Sequence, residues 1–210
     1  MAKGTLVLVA CYPKSGGSWL TWMLIDIIFK PDYYCDQVNK PLLDKMVHKT
    51  EKVLDKKPHL HMMRHPLDVA CSWYNYKLLT NRANKNSFDQ HIQQFYADHL
   101  KYKDFIKYGM TAPIQIRYED LLEHPTATLV NIVGQKDVSE TIEKYSLANC
   151  RKREHKVDLD RPNNQKFSFF NRAEKFYFKD MMNKSQINKG HEIFGDIILK
   201  YWPESLKEKI

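Results

Sequence analysis

One short stretch of the chain combines the residue types that bind an anion. It brings together a cation, two hydroxyls and two glycines: Lys14, Ser15, Gly16, Gly17 and Ser18. The glycines allow the chain to turn tightly, so that main-chain N–H groups can converge on a ligand oxygen. A helix that begins here adds a favourable dipole, and the lysine adds a full charge. The stretch therefore predicts a phosphate-type binding loop.

A second pair of polar residues suits the same chemistry. Arg64 ends a short apolar run, and Ser72 lies two turns into a predicted helix that begins at Pro66. An arginine guanidinium is planar and matches the oxygens of a phosphate. Only an anion docked along the helix face could contact both side chains. Asp68, between them, is expected to orient the loop or cap the helix rather than to touch the anion.

The elements that position these residues follow an α/β pattern. Four short apolar segments bounded by turn residues predict strands near 5–11, 45–50, 58–63 and 113–117. One helix is expected to be capped by Ser18, and another begins at a capping box, Ser87–Gln90, continues through Phe105 and ends at Gly109. The alternation predicts a P-loop-like α/β domain with a central parallel sheet flanked by helices on both faces. Ligands of such sheets bind at the carboxyl ends of the strands, where both stretches lie.

The residue order in both stretches resembles that of the PAPS-dependent sulfotransferases, whose sulfuryl donor is 3′-phosphoadenosine 5′-phosphosulfate (PAPS). Residues 12–19 read Y-P-K-S-G-G-S-W and are similar to the family's 5′-phosphosulfate loop, with Gly17 in place of a hydroxyl residue. Residues 64–74 resemble the 3′-phosphate motif R-[ND]-P-x-D-x-x-x-S-x-[YW]. The resemblance implies a short, cytosolic-type member that transfers a sulfuryl group to a hydroxyl or amine and releases PAP. Lys14 would supply positive charge, and no metal is implied.

The resemblance also indicates the group that deprotonates the acceptor. The family places K-T-H at the end of its next core strand, where the histidine is the base. Here Lys49 and Thr50 match, and Glu51 stands at the histidine's position. A carboxylate can also accept a proton from an alcohol, so Glu51 is the expected base, with His48 as the alternative and Lys49 assisting Lys14. On an extended strand His48 and Glu51 would point to opposite faces, so they are not expected to act together.

Three further nucleotide contacts follow from the resemblance. Tyr118, in a Y-E-D-L sequence after the fourth strand, would lie near the adenine, although plain packing is an equal interpretation. Ser146 falls near the position of a family adenine contact, and Trp19 is expected to pack beside the nucleotide.

A cofactor-covering loop is expected at about 157–180, and 157–173 lacks helical periodicity. Within it, residues 169–173 resemble the family's F-x-R-K-G element, and Phe170 and Arg172 would contact the nucleotide. Ala173 stands where the family has glycine, and this difference favours weaker binding of the nucleotide.

The composition fits a folded, anion-binding protein. The 210 residues are 43% hydrophobic and 12% aromatic, which suits a single domain, 1–210, and excludes a disordered chain. The formal net charge of +8 favours anionic ligands. Four scattered cysteines without C-x-x-C spacing suit reduced thiols. No apolar run approaches the roughly 18 residues that span a bilayer, and no leader pattern is present, so a cytoplasmic protein without a membrane partner is expected.

The acceptor and three rival functions stay open at this point. The basic run 151–156 favours an acidic small-molecule or glycan acceptor. A P-loop nucleotide kinase would need a lysine after the glycines, which is not found. A non-enzymatic basic nucleotide- or nucleic-acid-binding domain would show a continuous Lys/Arg face, and nucleic acid is not the expected partner. An inactive PAP-binding protein would account for Glu51 and Ala173.

Overall fold

The computed structural model describes residues 7–29, 46–49, 58–79, 87–159 and 173–206. Within these ranges the strands are β1 Val7–Cys11, β2 Met46–Lys49, β3 Leu60–Met63 and β4 Ile114–Arg117. They form a parallel sheet in the order β2-β1-β3-β4, with Cys11 opposite Met62 and Met63 opposite Arg117. Each predicted strand is confirmed to within two residues at either end.

Helices make up most of the rest of the described chain. They are α1 Gly17–Phe29, α2 Pro66–Leu79, α3 Phe88–Ala97, α4 His99–Gly109, α5 Tyr118–Glu123, α6 Pro125–Val133, α7 Ser139–Lys144, α8 Leu147–Leu159, α9 Phe178–Met181 and α10 Lys184–Tyr201. A 3₁₀ turn, Pro203–Leu206, follows α10. The predicted α/β fold with a parallel sheet flanked by helices is confirmed.

Two helix boundaries differ from the sequence-based predictions. Helix α1 begins at Gly17, so Ser18 lies inside its first turn instead of capping it, and the Gly16 carbonyl accepts from the Leu20 N–H at 3.1 Å. Helix α8 continues to Leu159, so the loop predicted over 157–173 cannot begin before residue 160. The cap prediction was wrong because Gly16 already provides the turn that precedes a helix.

The helix predicted from Ser87 to Gly109 is two helices. Its start is confirmed, because the Ser87 hydroxyl accepts from the Gln90 N–H and the Gln90 side chain accepts from the Ser87 N–H. The break falls at Asp98, where the His99 ring nitrogen Nδ1 lies 2.8 Å from the Tyr96 carbonyl oxygen. A side chain that competes for a main-chain carbonyl interrupts the helical hydrogen-bond pattern, and hydrophobic periodicity does not report such a bond.

The described backbone forms two compact units. The sheet unit comprises Met1–Met63 and Phe105–Cys150, and the helical unit comprises Arg64–Asp104 and Arg151–Ile210. That the whole chain acts as a single domain stays a prediction.

In the sheet unit, the central strand β1 is buried from Leu8 to Cys11, as expected for a strand covered on both faces. Helix α1 packs against β1 and β2 and is apolar around most of its circumference. Its one acid, Asp26, accepts a hydrogen bond from the Thr141 hydroxyl at 2.7 Å and pairs with Lys144. These partners allow a carboxylate to lie inside an apolar helix.

In the helical unit, aromatic rings surround the first turn of α2. The His65 ring stacks on Phe178 at a centroid distance of 4.7 Å and meets Trp202 edge-on at 5.5 Å. Helix α10 approaches α2 closely at Gly190, where an added Cβ would lie 2.4 Å from a methyl carbon of Leu67. The start of α2 is therefore held in a tightly packed core.

Candidate functional site

The loop that follows β1 has the geometry of an anion-binding turn. Its main chain takes positive φ at Lys14 (70°) and Gly16 (87°), and the Ser15 N–H donates to the Tyr12 carbonyl at 3.1 Å. A positive φ is uncommon outside glycine, so the backbone is strained at Lys14. The loop then enters α1, whose first N–H groups have no partner inside the helix. Strand, turn and helix N-terminus are arranged as Lys14 to Ser18 predict.

Ser15 provides a test of whether this loop suits an oxygen-rich ligand. The residue is 1% exposed, and its hydroxyl has no hydrogen-bond partner among the described residues. A buried hydroxyl without a partner is destabilising, so its presence here favours a ligand that supplies an acceptor. Beside it, the Gly17 N–H donates to the Cys11 sulfur, and burial raises the pKa of that thiol to about 12. The loop residues therefore fit a phosphate-like group.

Aromatic rings beneath the loop fix its shape. Tyr118 is 5% exposed, and a Cβ added to Gly16 would lie 2.5 Å from its ring. The Trp19 ring lies 6.0 Å from that of Tyr118, and its Nε1 donates to the Tyr145 carbonyl at 2.9 Å. Packing is thus the role that the structure gives Tyr118 and Trp19. Their contact with a nucleotide stays a prediction.

Ser146 lies at the start of α8. Its hydroxyl accepts a hydrogen bond from the Asn149 N–H at 3.3 Å, as the cap of a helix does. The residue is partly exposed. The structure thus gives Ser146 a local role, and its contact with adenine stays a prediction.

Arg64 of the helical unit is held at both its main chain and its side chain. Its carbonyl accepts from the Tyr102 hydroxyl at 2.7 Å, and its guanidinium carbon lies 5.4 Å above the centre of the Tyr177 ring. Arg64 is 6% exposed. Because an aromatic face attracts a cation, the ring restricts the guanidinium.

Ser72 meets the same tyrosine. The hydroxyl of Ser72, on α2, hydrogen-bonds to the Tyr177 phenol. The phenol donates in turn to the Asp68 carbonyl at 3.1 Å. The structure therefore brings Arg64 and Ser72 together through Tyr177, a residue that sequence reasoning missed.

Asp68 orients a segment that is distant in sequence. Its buried carboxylate accepts from the Phe176 N–H at 2.9 Å and from the Phe178 N–H at 3.0 Å. Asp68 thus orients a segment that precedes α9 and is far from α2 in sequence; its expected role at the loop before α2 stays a prediction. Two residues of this segment, Ala173 and Phe176, have positive φ values of 49° and 56°. The carboxylate thus holds a strained main chain in place.

Two cations, Arg64 and Lys179, lie close enough to His65 to affect its pKa. Burial, together with the charges of His191, Lys179 and Arg64, holds the pKa of His65 well below its usual value. Burial and Lys179 likewise lower the pKa of His191. Both imidazoles are therefore favoured in the neutral form.

Five predicted site residues have side chains that the structure does not describe. Glu51, Phe170 and Arg172 fall outside the described residues. His48 and Lys49 lie on β2 by their main chain, and their side chains are not described.

No protein-family model matches the sequence, and no curated protein sequence matches it. Among solved structures, the chain is similar to mouse sulfotransferase SULT7A1 complexed with PAP. The two share 15% sequence identity at a TM-score of 0.61, over 94% of this chain and 84% of the mouse chain. The chain has the fold of a sulfotransferase. At this identity the likeness concerns the fold alone.

Two further observations concern the described residues only. None of their helices is long and apolar enough to cross a membrane. No group of three or more His, Cys, Asp or Glu side chains among them is arranged to hold a metal ion.

Proposed function

We propose that the protein is a sulfotransferase that moves a sulfuryl group from PAPS to a hydroxyl or amine acceptor and releases PAP. The observation that carries this proposal is the buried hydroxyl of Ser15, which has no partner among the described residues, in a loop that joins a parallel strand to a helix N-terminus. The fold of a sulfotransferase that was solved with PAP supports it.

The loop would hold the 5′ side of the donor. Main-chain N–H groups and the hydroxyls of Ser15 and Ser18 would bind its oxygens, while Gly16 and Gly17 allow the close approach of the main chain. Lys14, assisted by Lys49, would neutralise charge that develops during transfer. In the helical unit, Arg64 and Ser72 would bind the 3′-phosphate.

Bound PAPS supplies the sulfuryl group: its bond from sulfur to the 5′-phosphate oxygen breaks as the acceptor atom bonds to sulfur. The acceptor proton would pass to Glu51, or to His48 as the alternative base. Tyr118, Trp19 and Ser146, with Phe170 and Arg172, are proposed nucleotide contacts. In the structure the first three have packing or capping roles.

The acceptor is proposed to be an acidic small molecule or glycan, because the basic run 151–156 begins with two exposed cations, Arg151 and Lys152. The cytoplasm is the proposed compartment. It is supported by Cys11, Cys71 and Cys150, which are buried thiols, as expected where cysteines stay reduced.

Thermal stabilisation by PAP, compared with Mg²⁺-ATP, tests donor binding. At 100 times its dissociation constant a ligand stabilises by about 2.7 kcal/mol, which raises the Tm of a chain this size by about 5–10 °C. We expect PAP to raise the Tm of the wild type by this amount. We expect no such rise in the Lys14→Ala and Arg64→Ala variants. Lys101→Ala removes an equal charge from a 74% exposed side chain and should keep it.

A rise with Mg²⁺-ATP and none with PAP would overturn the proposal. If PAP binds, transfer of labelled sulfuryl from PAPS to a panel of hydroxyl and amine acceptors follows. Glu51→Gln should abolish transfer and leave PAP stabilisation intact, since the base acts on the acceptor.

A further inference from the structure

Tyr177 joins the two residues assigned to the 3′-phosphate. Its ring lies under the Arg64 guanidinium at 5.4 Å, and its phenol oxygen meets the Ser72 hydroxyl. The same phenol donates to the Asp68 carbonyl at 3.1 Å. Tyr177 is 4% exposed and Arg64 6%, so these contacts form away from bulk water.

The main chain on either side of Tyr177 is also fixed. The Asp68 carboxylate accepts from the N–H groups of both neighbours, Phe176 and Phe178. These bonds hold Phe176 at a φ of 56°, a conformation that a bulky residue rarely adopts. The ring of Tyr177 is thus located by α2, the helix that carries Ser72.

The phenol is suited to ordering its neighbours as a neutral group. Burial raises the pKa of Tyr177 above its usual value, against the opposing effect of Arg64. The hydroxyl therefore keeps its proton at neutral pH and can donate to the Asp68 carbonyl while it accepts from Ser72. A side chain that is already ordered loses less entropy when a ligand binds.

We infer that Tyr177 is a positioning residue that orients Arg64 and Ser72 and thereby sets the preference for nucleotides with a 3′-phosphate over those with a 3′-hydroxyl. This inference rests on the proposed function. Tyr177 itself does not touch the phosphate; it acts through the guanidinium and the hydroxyl that do.

The ratio of affinities for PAP and adenosine 5′-monophosphate (AMP) tests the inference, because the two ligands differ only in the 3′-phosphate. Titration calorimetry should show Tyr177→Phe lowering the PAP affinity about tenfold, the worth of one buried hydrogen bond, with the AMP affinity unchanged. Tyr177→Leu, which also removes the ring beneath Arg64, should lower the PAP affinity further, by about 30-fold.

Tyr96→Phe is a matched control. The Tyr96 hydroxyl is likewise buried in the helical unit and donates to a main-chain carbonyl, that of Gln186, at 2.6 Å. This variant should lose a similar amount of thermal stability and keep the PAP-to-AMP ratio. Ser72→Ala should lower the PAP affinity by a smaller factor in the Tyr177→Phe background than in the wild type, because Tyr177 acts in part through the Ser72 hydroxyl.

The inference would be overturned if the wild type prefers PAP, Arg64→Ala loses that preference, and Tyr177→Phe keeps the wild-type ratio of PAP to AMP affinity. The proposed function would then still stand. A wild type that does not distinguish PAP from AMP, or binds neither, would overturn both. A loss of affinity for both ligands by the same factor would assign Tyr177 to the core alone.

Discussion

Under the proposed function, the sheet unit and the helical unit would present different kinds of polar groups to an anion. In the sheet unit the groups come from consecutive residues, and the conformation of the main chain positions them. Positive φ at Lys14 and Gly16 turns the loop into α1. In the helical unit they are side chains, and residues distant in sequence hold them in place. For example, Asp68 accepts a hydrogen bond from the Phe176 N–H, 108 positions later in the chain.

This difference governs which substitutions each unit tolerates. A main-chain loop depends on the space that its turns need, so an added Cβ should disturb it more than the loss of a side chain. A side-chain network depends on each of its members, so the loss of a single acceptor should leave buried donors without partners. The predictions below run from the largest expected effect to the smallest.

Asp68→Ala should be the most destabilising change, by about 4 kcal/mol, because two buried N–H groups lose a charged acceptor. Asp98→Ala is the control, since Asp98 is a partly exposed acid that pairs with Lys101 on the surface, and it should lose less than about 1 kcal/mol. Urea unfolding measures both. Equal losses in the two variants would show that the helical unit does not depend on Asp68.

Lowering the pH should destabilise the sheet unit through His61. This residue of β3 is 0% exposed, neither ring nitrogen has a partner among the described residues, and burial lowers its pKa to about 4 from 6.5. At a pH between these two pKa values, His61 is therefore protonated in the unfolded chain and neutral in the folded chain. Stability is unaffected above pH 6.5 and falls by about 3 kcal/mol as the pH drops to 4.

Urea unfolding of wild type and His61→Leu between pH 7.5 and 4.5 measures this effect. As the pH falls, the free energy of unfolding should decrease less steeply in the variant than in the wild type. The two slopes should differ by about 1.4 kcal/mol per pH unit, the value for one proton. An acid loss should also persist in the variant, because the pKa values of His65, His91 and His191 in the helical unit are lowered too. Parallel curves for the two proteins would contradict the assignment to His61.

Gly16→Ala should destabilise by about 2 kcal/mol, because its φ of 87° is unfavourable for alanine and the new Cβ would lie 2.5 Å from the Tyr118 ring. Gly195→Ala is the matched control: it lies in α10, has no described neighbour within 4 Å, and should gain up to about 1 kcal/mol. Thermal unfolding compares them. A neutral Gly16→Ala would mean that the loop does not rely on its turn.

Ala173→Gly should give the smallest change, a gain of about 0.5 kcal/mol. Ala173 has a φ of 49°, and glycine relieves that strain while it increases the entropy of the unfolded chain. Ala127→Gly, inside α6, should instead lose about 1 kcal/mol. If both variants lost stability equally, the positive φ at 173 would be unstrained.

The sequence predicted the sheet well because its strands are short apolar runs between turn residues, and such patterns are local. The same holds for the capping box at Ser87 and for the end of α4 at Gly109. The capping box of α10, formed by Asn183 and Gln186, was not predicted. Boundaries depend on single hydrogen bonds, which hydrophobic periodicity does not report.

The candidate site divides in the same way. The loop from Lys14 to Ser18 was predicted because its residues are adjacent, and Ser15 is buried there with a hydroxyl that has no partner within the described part of the chain. Tyr177 could not be predicted, since its contacts with Arg64 and Ser72 depend on how α2 packs against a segment about a hundred residues later.

Binding of two monophosphates by calorimetry tests the central claim most directly, namely that the loop binds the 5′ end of the nucleotide and Arg64 binds the 3′-phosphate. AMP carries only the 5′-phosphate, and adenosine 3′-monophosphate carries only the 3′-phosphate. Lys14→Ala should weaken AMP at least tenfold and leave the 3′ isomer unchanged, whereas Arg64→Ala should do the reverse. If each variant weakened both ligands equally, or neither, the assignment of the two phosphates would be contradicted.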